Sequence, residues 1–343
     1  MEEKVKPTVS IDKKKKIQNI VLRIFSLLMM FALLYSYACY VFMPKTAGDS
    51  TYYTSRSFKV EKKNTIDVLC LGSSAIECSV IPSVLYSKHG ISALNSAEYI
   101  TTMDNEIGHY RESKAYQTPK LVLIDTEIVW NGGANTYKTP SEMFFCAPFS
   151  NHNRLKSLSW DDFYFHGVDD ENRYYSRLKG YSFLTKTSEM SSWGIDETTI
   201  IHSEVSSRQD KEIRSIITEI LADNVKILFV TAPEQYSNKD KRHNTSYHSY
   251  FESLTEEYEN VSYFDFNDKK TSNLNLDVKT DFAKVNHLNV LGAQKTSVVL
   301  ADYLNAKYSL TDYRKDTENN TRMEEGLTFF KNKLATSNEE QLF

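Results

Sequence analysis

Twenty consecutive residues without a charge, Ile24–Met43 (IFSLLMMFALLYSYACYVFM), follow closely on a block of four lysines, Lys13–Lys16, and on Arg23. At 1.5 Å per residue a helix over this run is about 30 Å long, which matches the hydrocarbon core of a bilayer. The rest of the chain is hydrophilic enough that the mean hydropathy is negative, so this run stands alone. Basic residues stay on the cytoplasmic side of a span. The expected order is therefore a cytoplasmic basic tail over residues 1–16, an anchor over 17–44 and an extracellular remainder. Tyr35, Tyr37 and Tyr40 fall towards the far end, where interfacial aromatics collect. A cleaved signal would have a shorter apolar core and small residues at the cut. Val41-Phe42-Met43-Pro44 does not offer them, and Ser36-Tyr37-Ala38-Cys39 does not fit a lipoprotein signal.

The formal charge of −4 excludes the broad basic surface of a general nucleic-acid binder. Four cysteines in 343 residues do not make a disulfide framework, and their spacing matches no zinc site. Cys70 reads as a strand residue and Cys39 as part of the span, while pairing of Cys78 with Cys146 stays open. No cofactor motif is present.

Residues 45–64 are polar and read as a stalk. Strands then alternate with helices. Ile66–Leu71 and Val225–Val230 are apolar runs of the kind buried on both faces of a sheet, and Ile91–Leu94, Leu121–Ile124 and Val261–Phe264 are shorter ones. Pro82 opens a helix that Gly90 stops. Residues 103–116, 208–223, 246–259 and 290–303 are helical in pattern, the second with Ile213, Ile216, Ile217 and Ile220 on one face. This alternation predicts an α/β domain over 65–308, a parallel sheet with helices on both faces. Its active site is expected at the carboxyl ends of the strands.

Residues 130–205 break the alternation with a concentration of aromatics, among them Trp130, Phe149, Trp160, Phe165, Tyr181 and Trp193. They read as one insertion folded over the strand ends, dispensable to the core, and either a sugar platform or ordinary packing. His152, His166 and His202 with Asp161, Asp162, Asp169 and Asp170 match no metal-ligand spacing and read as a solvated loop. Residues 309–343 read as a polar tail containing one weak helix.

Chemistry is expected from two places. Gly72-Ser73-Ser74 follows the first strand directly, so a hydroxyl stands on a tight turn at the sheet edge. His287-Leu288-Asn289 precedes the last helix, with Asp281 upstream. A serine needs a base to take its proton, and histidine is the usual one. Alone, Gly-Ser-Ser is weak evidence beside a polar turn, and a lone His before a helix is more often a capping or surface residue than a base; the pair, each at a strand–helix junction, is what favours catalysis.

These blocks resemble the SGNH/GDSL hydrolases, particularly the membrane-anchored, DltD-like branch of Gram-positive cell-envelope polymer modification. The first block runs Asp67 to Ser74, followed by Ile81-Pro82 and Gly90-Ile91; the last runs from His287 to Lys295 and on to Leu304. Asn151–Arg154 and Thr231-Ala232-Pro233 are weaker matches, and the likeness spans about residues 60–306. It implies a flavodoxin-like α/β/α sandwich, with Ser74 as nucleophile and His287 as base. Gly72, Asn95 and Ala97 fall at oxyanion or substrate-binding positions, Ala97 through its backbone N–H. The activity implied is ester hydrolysis or acyl transfer on an acylated carbohydrate or envelope polymer, with a membrane-bound acyl donor protein as partner.

Three departures from that pattern stand in the sequence. Lys284 occupies the place of the acid that orients the imidazole. Asp281 is the nearby carboxylate that can substitute, with a Ser–His dyad as the alternative. Asn95-Ser96-Ala97 replaces an oxyanion glycine, and Asp125-Thr126-Glu127 replaces an oxyanion asparagine with two carboxylates expected to repel the developing charge. Two classes of function therefore stand: an extracellular serine esterase or acyltransferase, and a catalytically degenerate binding or scaffolding subunit of the same machinery.

Overall fold

The computed structural model of the chain describes residues 11–45, 51–99, 101–129, 138–165, 169–190, 192–193, 205–233, 241–284 and 287–343. Trp130, His166 and His202 lie outside them. The chain divides into two compact units, residues 1–44 with 138–167, and residues 45–137 with 168–343.

The larger unit is built on five parallel strands: β1 (Val68–Leu71), β2 (Ala93–Asn95), β3 (Leu121–Asp125), β4 (Lys226–Thr231) and β5 (Val261–Asp265). They lie in the order β2-β1-β3-β4-β5, the flavodoxin-like arrangement. Strand periodicity explains the two cores. Val68, Cys70, Leu121, Leu123, Leu228 and Val230 face one layer. Leu69, Leu71, Val122, Ile124, Ile227 and Phe229 face the other. Over the first layer pack α1 (Ser74–Ser79), α2 (Pro82–His89) and, from the end of the chain, α3 (Val290–Lys307). Gly90 ends α2 with φ +72°, and an ideal Cβ there would lie 1.8 Å from Asp312 Oδ1, so the stop requires glycine. Over the second layer pack α4 (Met103–Ser113), α5 (Ser207–Ala222) and α6 (Lys241–Glu257). As the spacing predicts, Ile213, Ile216, Ile217 and Ile220 form the buried face of α5. A short antiparallel pair, β6 (Phe282–Lys284) and β7 (His287–Leu288), precedes α3.

Three expectations about segment boundaries are corrected. Residues 51–63 are not a solvated stalk. Tyr52, Tyr53 and Phe58 are buried, and the Arg56 guanidinium stacks 3.9 Å over the Tyr52 ring while bonding Glu98 and Glu112 at 2.8 and 2.9 Å. Nor is the C-terminal segment a tail. The helix α7 (Thr321–Thr336) buries Met323, Phe330 and Leu334, and Gln294 bonds the backbone at Glu340 and Leu342 at 2.9 Å each.

The aromatic insertion is not one body. Its second half belongs to the α/β core through Tyr181, Met190 and Trp193, with Trp193 Nε1 donating to Leu276 O at 2.7 Å. Its loss would therefore cost core, contrary to its reading as dispensable. The first half, residues 138–167, groups with the long apolar helix, which spans Ile11–Phe42. That smaller unit also holds α8 (Pro140–Ser150), opened by a capping box at Thr139 and Glu142. All four cysteines are free: Cys78 is buried and Cys146 exposed.

Candidate active site

Because β1 lies between β2 and β3, the loops leaving all three strands meet at one end of the sheet. The strand order reverses at β1 and β3, where open α/β sheets take their ligands. Gly72 makes the turn out of β1: an ideal Cβ would stand 2.6 Å from Asp125 Cβ, so no larger residue fits. Ser73 is the N-cap of α1, its Oγ accepting the Ala75 N–H at 3.1 Å. Ser74 is the first helical residue, 8 % exposed, and among the described residues nothing hydrogen-bonds its Oγ.

Ser73 also ties β1 to β3. Its N–H and Oγ meet Asp125 Oδ2 at 3.1 and 2.7 Å, and its Oγ also meets Glu127 Oε2. Burial raises the pKa of both acids, and in Glu127 the neighbouring Asp125 charge adds to it. Both acids after Ile124 are thus shifted towards their neutral forms, which weakens the repulsion of an oxyanion that the sequence suggests.

More carboxyls surround this turn than the sequence motifs announce. Glu106, in the first turn of α4, accepts from the Thr101 hydroxyl, and burial pushes it well above the ordinary range. Glu77, one turn after Ser74, is raised by burial to about 7, with Glu98 adding to the rise and Lys284 opposing it. Glu98 alone is held low. Burial works against its charge, but His109 Nε2 at 3.1 Å and Arg56 Nη1 at 2.8 Å outweigh it. The sequence reading missed both members of this pair: Glu98 stands just past β2, at the strand ends, and its partner Arg56 lies 42 positions earlier.

The histidine expected to act as base comes from the other end of the chain. α1 packs against β7, which starts at His287, so the two elements bearing Ser74 and His287 are neighbours. His287 is 5 % exposed. Burial first, and then the charge of Lys284, lower its pKa to about 4. Lys284 is the cross-strand partner of His287 in β6–β7. No hydrogen bond joins Ser74 to His287 among the described residues.

Asp281 is engaged elsewhere. Its Oδ2 accepts the Asp277 N–H at 2.8 Å and the Lys295 Nζ at 2.6 Å, and its Oδ1 accepts the Thr280 hydroxyl at 3.0 Å. The imidazole is not among its partners, so Asp281 holds the loop and α3 together rather than orienting the base. Asn289 caps α3, accepting from Leu291 and Gly292 at 3.1 and 3.2 Å.

The expected oxyanion residues are also partly occupied. Asn95 Nδ2 donates to Ile76 O at 3.0 Å and Val80 O at 3.4 Å, clamping the far end of α1. The Ala97 N–H donates to Asn95 Oδ1 at 3.2 Å. Gly72 contributes through its carbonyl, which accepts the Glu98 N–H at 2.9 Å. Residues 179–190 strap the two loops: Asn95 N bonds Lys179 O at 2.9 Å and Val290 N bonds Leu184 O at 2.7 Å.

No family model matches the chain, and no curated protein matches it in sequence. Solved structures share its general architecture at low similarity. A protein described as a lipolytic member of the G-D-S-L family, from Desulfitobacterium hafniense, is 10% identical with a TM-score of 0.37, covering 69% of this chain and 99% of that one. A protein described as an acylhydrolase, from Bacteroides fragilis, is 13% identical with a TM-score of 0.38, covering 74% and 94%. A family two carbohydrate esterase from Clostridium thermocellum, in complex with cellohexaose, is 9% identical with a TM-score of 0.39, covering 72% and 65%. At this level the likeness says nothing of activity or substrate.

Proposed function

We propose that the chain is an SGNH-type serine esterase or acyltransferase of the DltD-like branch, anchored in the plasma membrane by Ile24–Met43 and acting on acylated cell-envelope polymer. The observation that carries this reading is the delivery of Ser74, at the end of β1, and His287, at the start of β7, to neighbouring elements at the switch point of the sheet. A neutral imidazole is an acceptor, and a pKa near 4 keeps His287 neutral at physiological pH. His287 takes the proton of Ser74 Oγ as the oxygen attacks the ester carbonyl. It returns that proton to the departing alcohol when the C–O bond breaks. The acyl-serine then passes its acyl group to water or to a second hydroxyl. Hydrolysis and transfer share every step up to that point.

The Lys284 charge disfavours the imidazolium this sequence passes through, so the reaction runs as a weak dyad. The test is covalent labelling of Ser74 by a fluorophosphonate. Labelling is expected in the wild type, absent in Ser74→Ala and reduced on the order of 10²–10⁴-fold in His287→Ala. Folded wild-type protein that never labels would leave the second reading, a binding or scaffolding subunit, which the occupied Asn95 and Ala97 favour. The anchor is tested separately. Protease added to cells stripped of their wall should digest residues 45–343, with the lysine block protected inside.

A further inference from the structure

The smaller unit distributes its side chains in the reverse of a soluble protein. Trp160, Phe165, Phe149 and Leu155 are 83%, 75%, 71% and 70% exposed. Turned inward instead is an ion pair, Arg154 Nη2 to Asp162 Oδ1 at 2.8 Å, with side chains only 18% and 12% exposed. Asp162 Oδ2 also accepts the Ser159 N–H at 2.8 Å and its hydroxyl at 3.0 Å. Within α8 no charge occurs from Met143 to Ser150.

This segment lies on a defined stretch of the Ile11–Phe42 helix. Residues 13–34 of that helix are exposed, and cover begins at Tyr35. Three of its tyrosines donate to backbone carbonyls of the segment: Tyr35 to Phe145 at 2.6 Å, Tyr37 to Phe163 at 2.7 Å and Tyr40 to Tyr164 at 2.7 Å. Tyr35 stands eleven residues beyond Ile24, about 16 Å along the axis, and Tyr40 about 24 Å. A hydrocarbon core is about 30 Å deep, so the contacts begin past its midpoint, on the side away from the lysines. Backbone outside an α-helix at such depth must have its carbonyls bonded within the protein, as those of Phe163 and Tyr164 are.

We infer that residues 140–165 form an interfacial element seated in the outer leaflet, its exposed aromatics and leucine in contact with lipid and Lys156, Asp161 and His152 reaching the headgroups. The occupant of the apolar face is the bilayer itself, because the face continues the surface of the span that carries it. This rests on the reading of Ile24–Met43 as a membrane anchor, and the experiment separates the two.

Cys146 is the one exposed thiol of the four, within α8, and takes a nitroxide without any substitution. The labelled full chain is reconstituted in phosphatidylcholine–phosphatidylglycerol vesicles and floated on a density gradient. Collision of the label with oxygen, which partitions into lipid, is compared with collision with a water-soluble nickel chelate. The same preparation, unlabelled, is read by quenching of tryptophan fluorescence by brominated lipid, with Trp160→Phe as the control. The inference predicts flotation, several-fold greater collision with oxygen than with chelate, and quenching that falls in Trp160→Phe. Flotation with free access of the chelate would overturn the element and leave the anchor standing. Flotation with the label shielded from both reagents would mean that protein, not lipid, covers the face, and would also overturn it. Failure to float would defeat the anchor and the inference together.

Discussion

Lys284 and His287 face each other across the short β6–β7 pair, and the ammonium deepens the fall in the imidazole's pKa that burial begins. The imidazole is thereby kept neutral well below physiological pH, and its charged form is denied the stabilisation that an acid at that position would give.

Replacing Lys284 by Asp reverses that field. The imidazole pKa should climb from about 4 towards its ordinary value, and the fluorophosphonate labelling rate of Ser74 should rise on the order of tenfold or more. The pH profile checks the cause. Wild-type labelling should be flat through neutrality and fall only as pH drops through about 4, whereas the variant's fall begins at higher pH. An unchanged profile would show that Lys284 does not act on the base.

Glu127 offers a stability test. Its folded-state pKa lies above the ordinary 4.5, so the folded chain binds a proton that the unfolded chain has released. The stability from this group is fully present below pH 4.5 and is lost as pH rises through the raised value. Glu127→Gln keeps a hydrogen-bonding group opposite Ser73 without the ionisation. Its melting temperature should exceed that of the wild type at about pH 8.5, and the gain should shrink or vanish at about pH 4.

Arg56 is buried between Glu98 and Glu112, with Lys59 Nζ also on Glu112 at 2.5 Å. Arg56→Ala leaves Glu98 without its guanidinium partner and should cost about 3–5 kcal/mol in urea unfolding. Adding Glu98→Gln should recover part of that loss, because the stranded charge is then gone.

Phe330, fully buried, carries α7 onto α2 and the strap through Tyr181 and Phe183, with ring centroids 6.0 and 5.9 Å away. Phe330→Ala should destabilise by about 3–5 kcal/mol. A true tail would show no change in the unfolding midpoint.

The sequence made the sheet legible because parallel strands buried on both faces, such as Val68–Leu71 and Leu121–Asp125, must be apolar throughout. The Ile213–Ile220 spacing and Gly90 left little choice for their helices. Residues 51–63 escaped because their burial rests on Arg56, a charge whose partners lie 42 and 56 positions away. The aromatic insertion looked uniform because composition cannot separate Trp160 from Trp193; one is 83% exposed and the other 6%. At the site, position at strand–helix junctions pointed to Ser74 and His287, and the elements that bear them lie side by side. The contacts of Ser73 with Asp125 and Glu127, and the diversion of Asp281 to Lys295, join segments that no local pattern links.

Asp67, at the mouth of β1, accepts the Thr311 N–H at 2.7 Å and the Tyr313 hydroxyl at 3.3 Å, partners 244 and 246 positions later. Tyr86 likewise waits for Glu324, 238 positions on. During synthesis at 5–20 residues per second, the first strand and the turn bearing Ser74 are made roughly 12–50 s before the segments that seal them. For that interval the sheet lacks its last covering, and the nascent chain depends on being shielded from its own exposed strand edges rather than on rapid local folding.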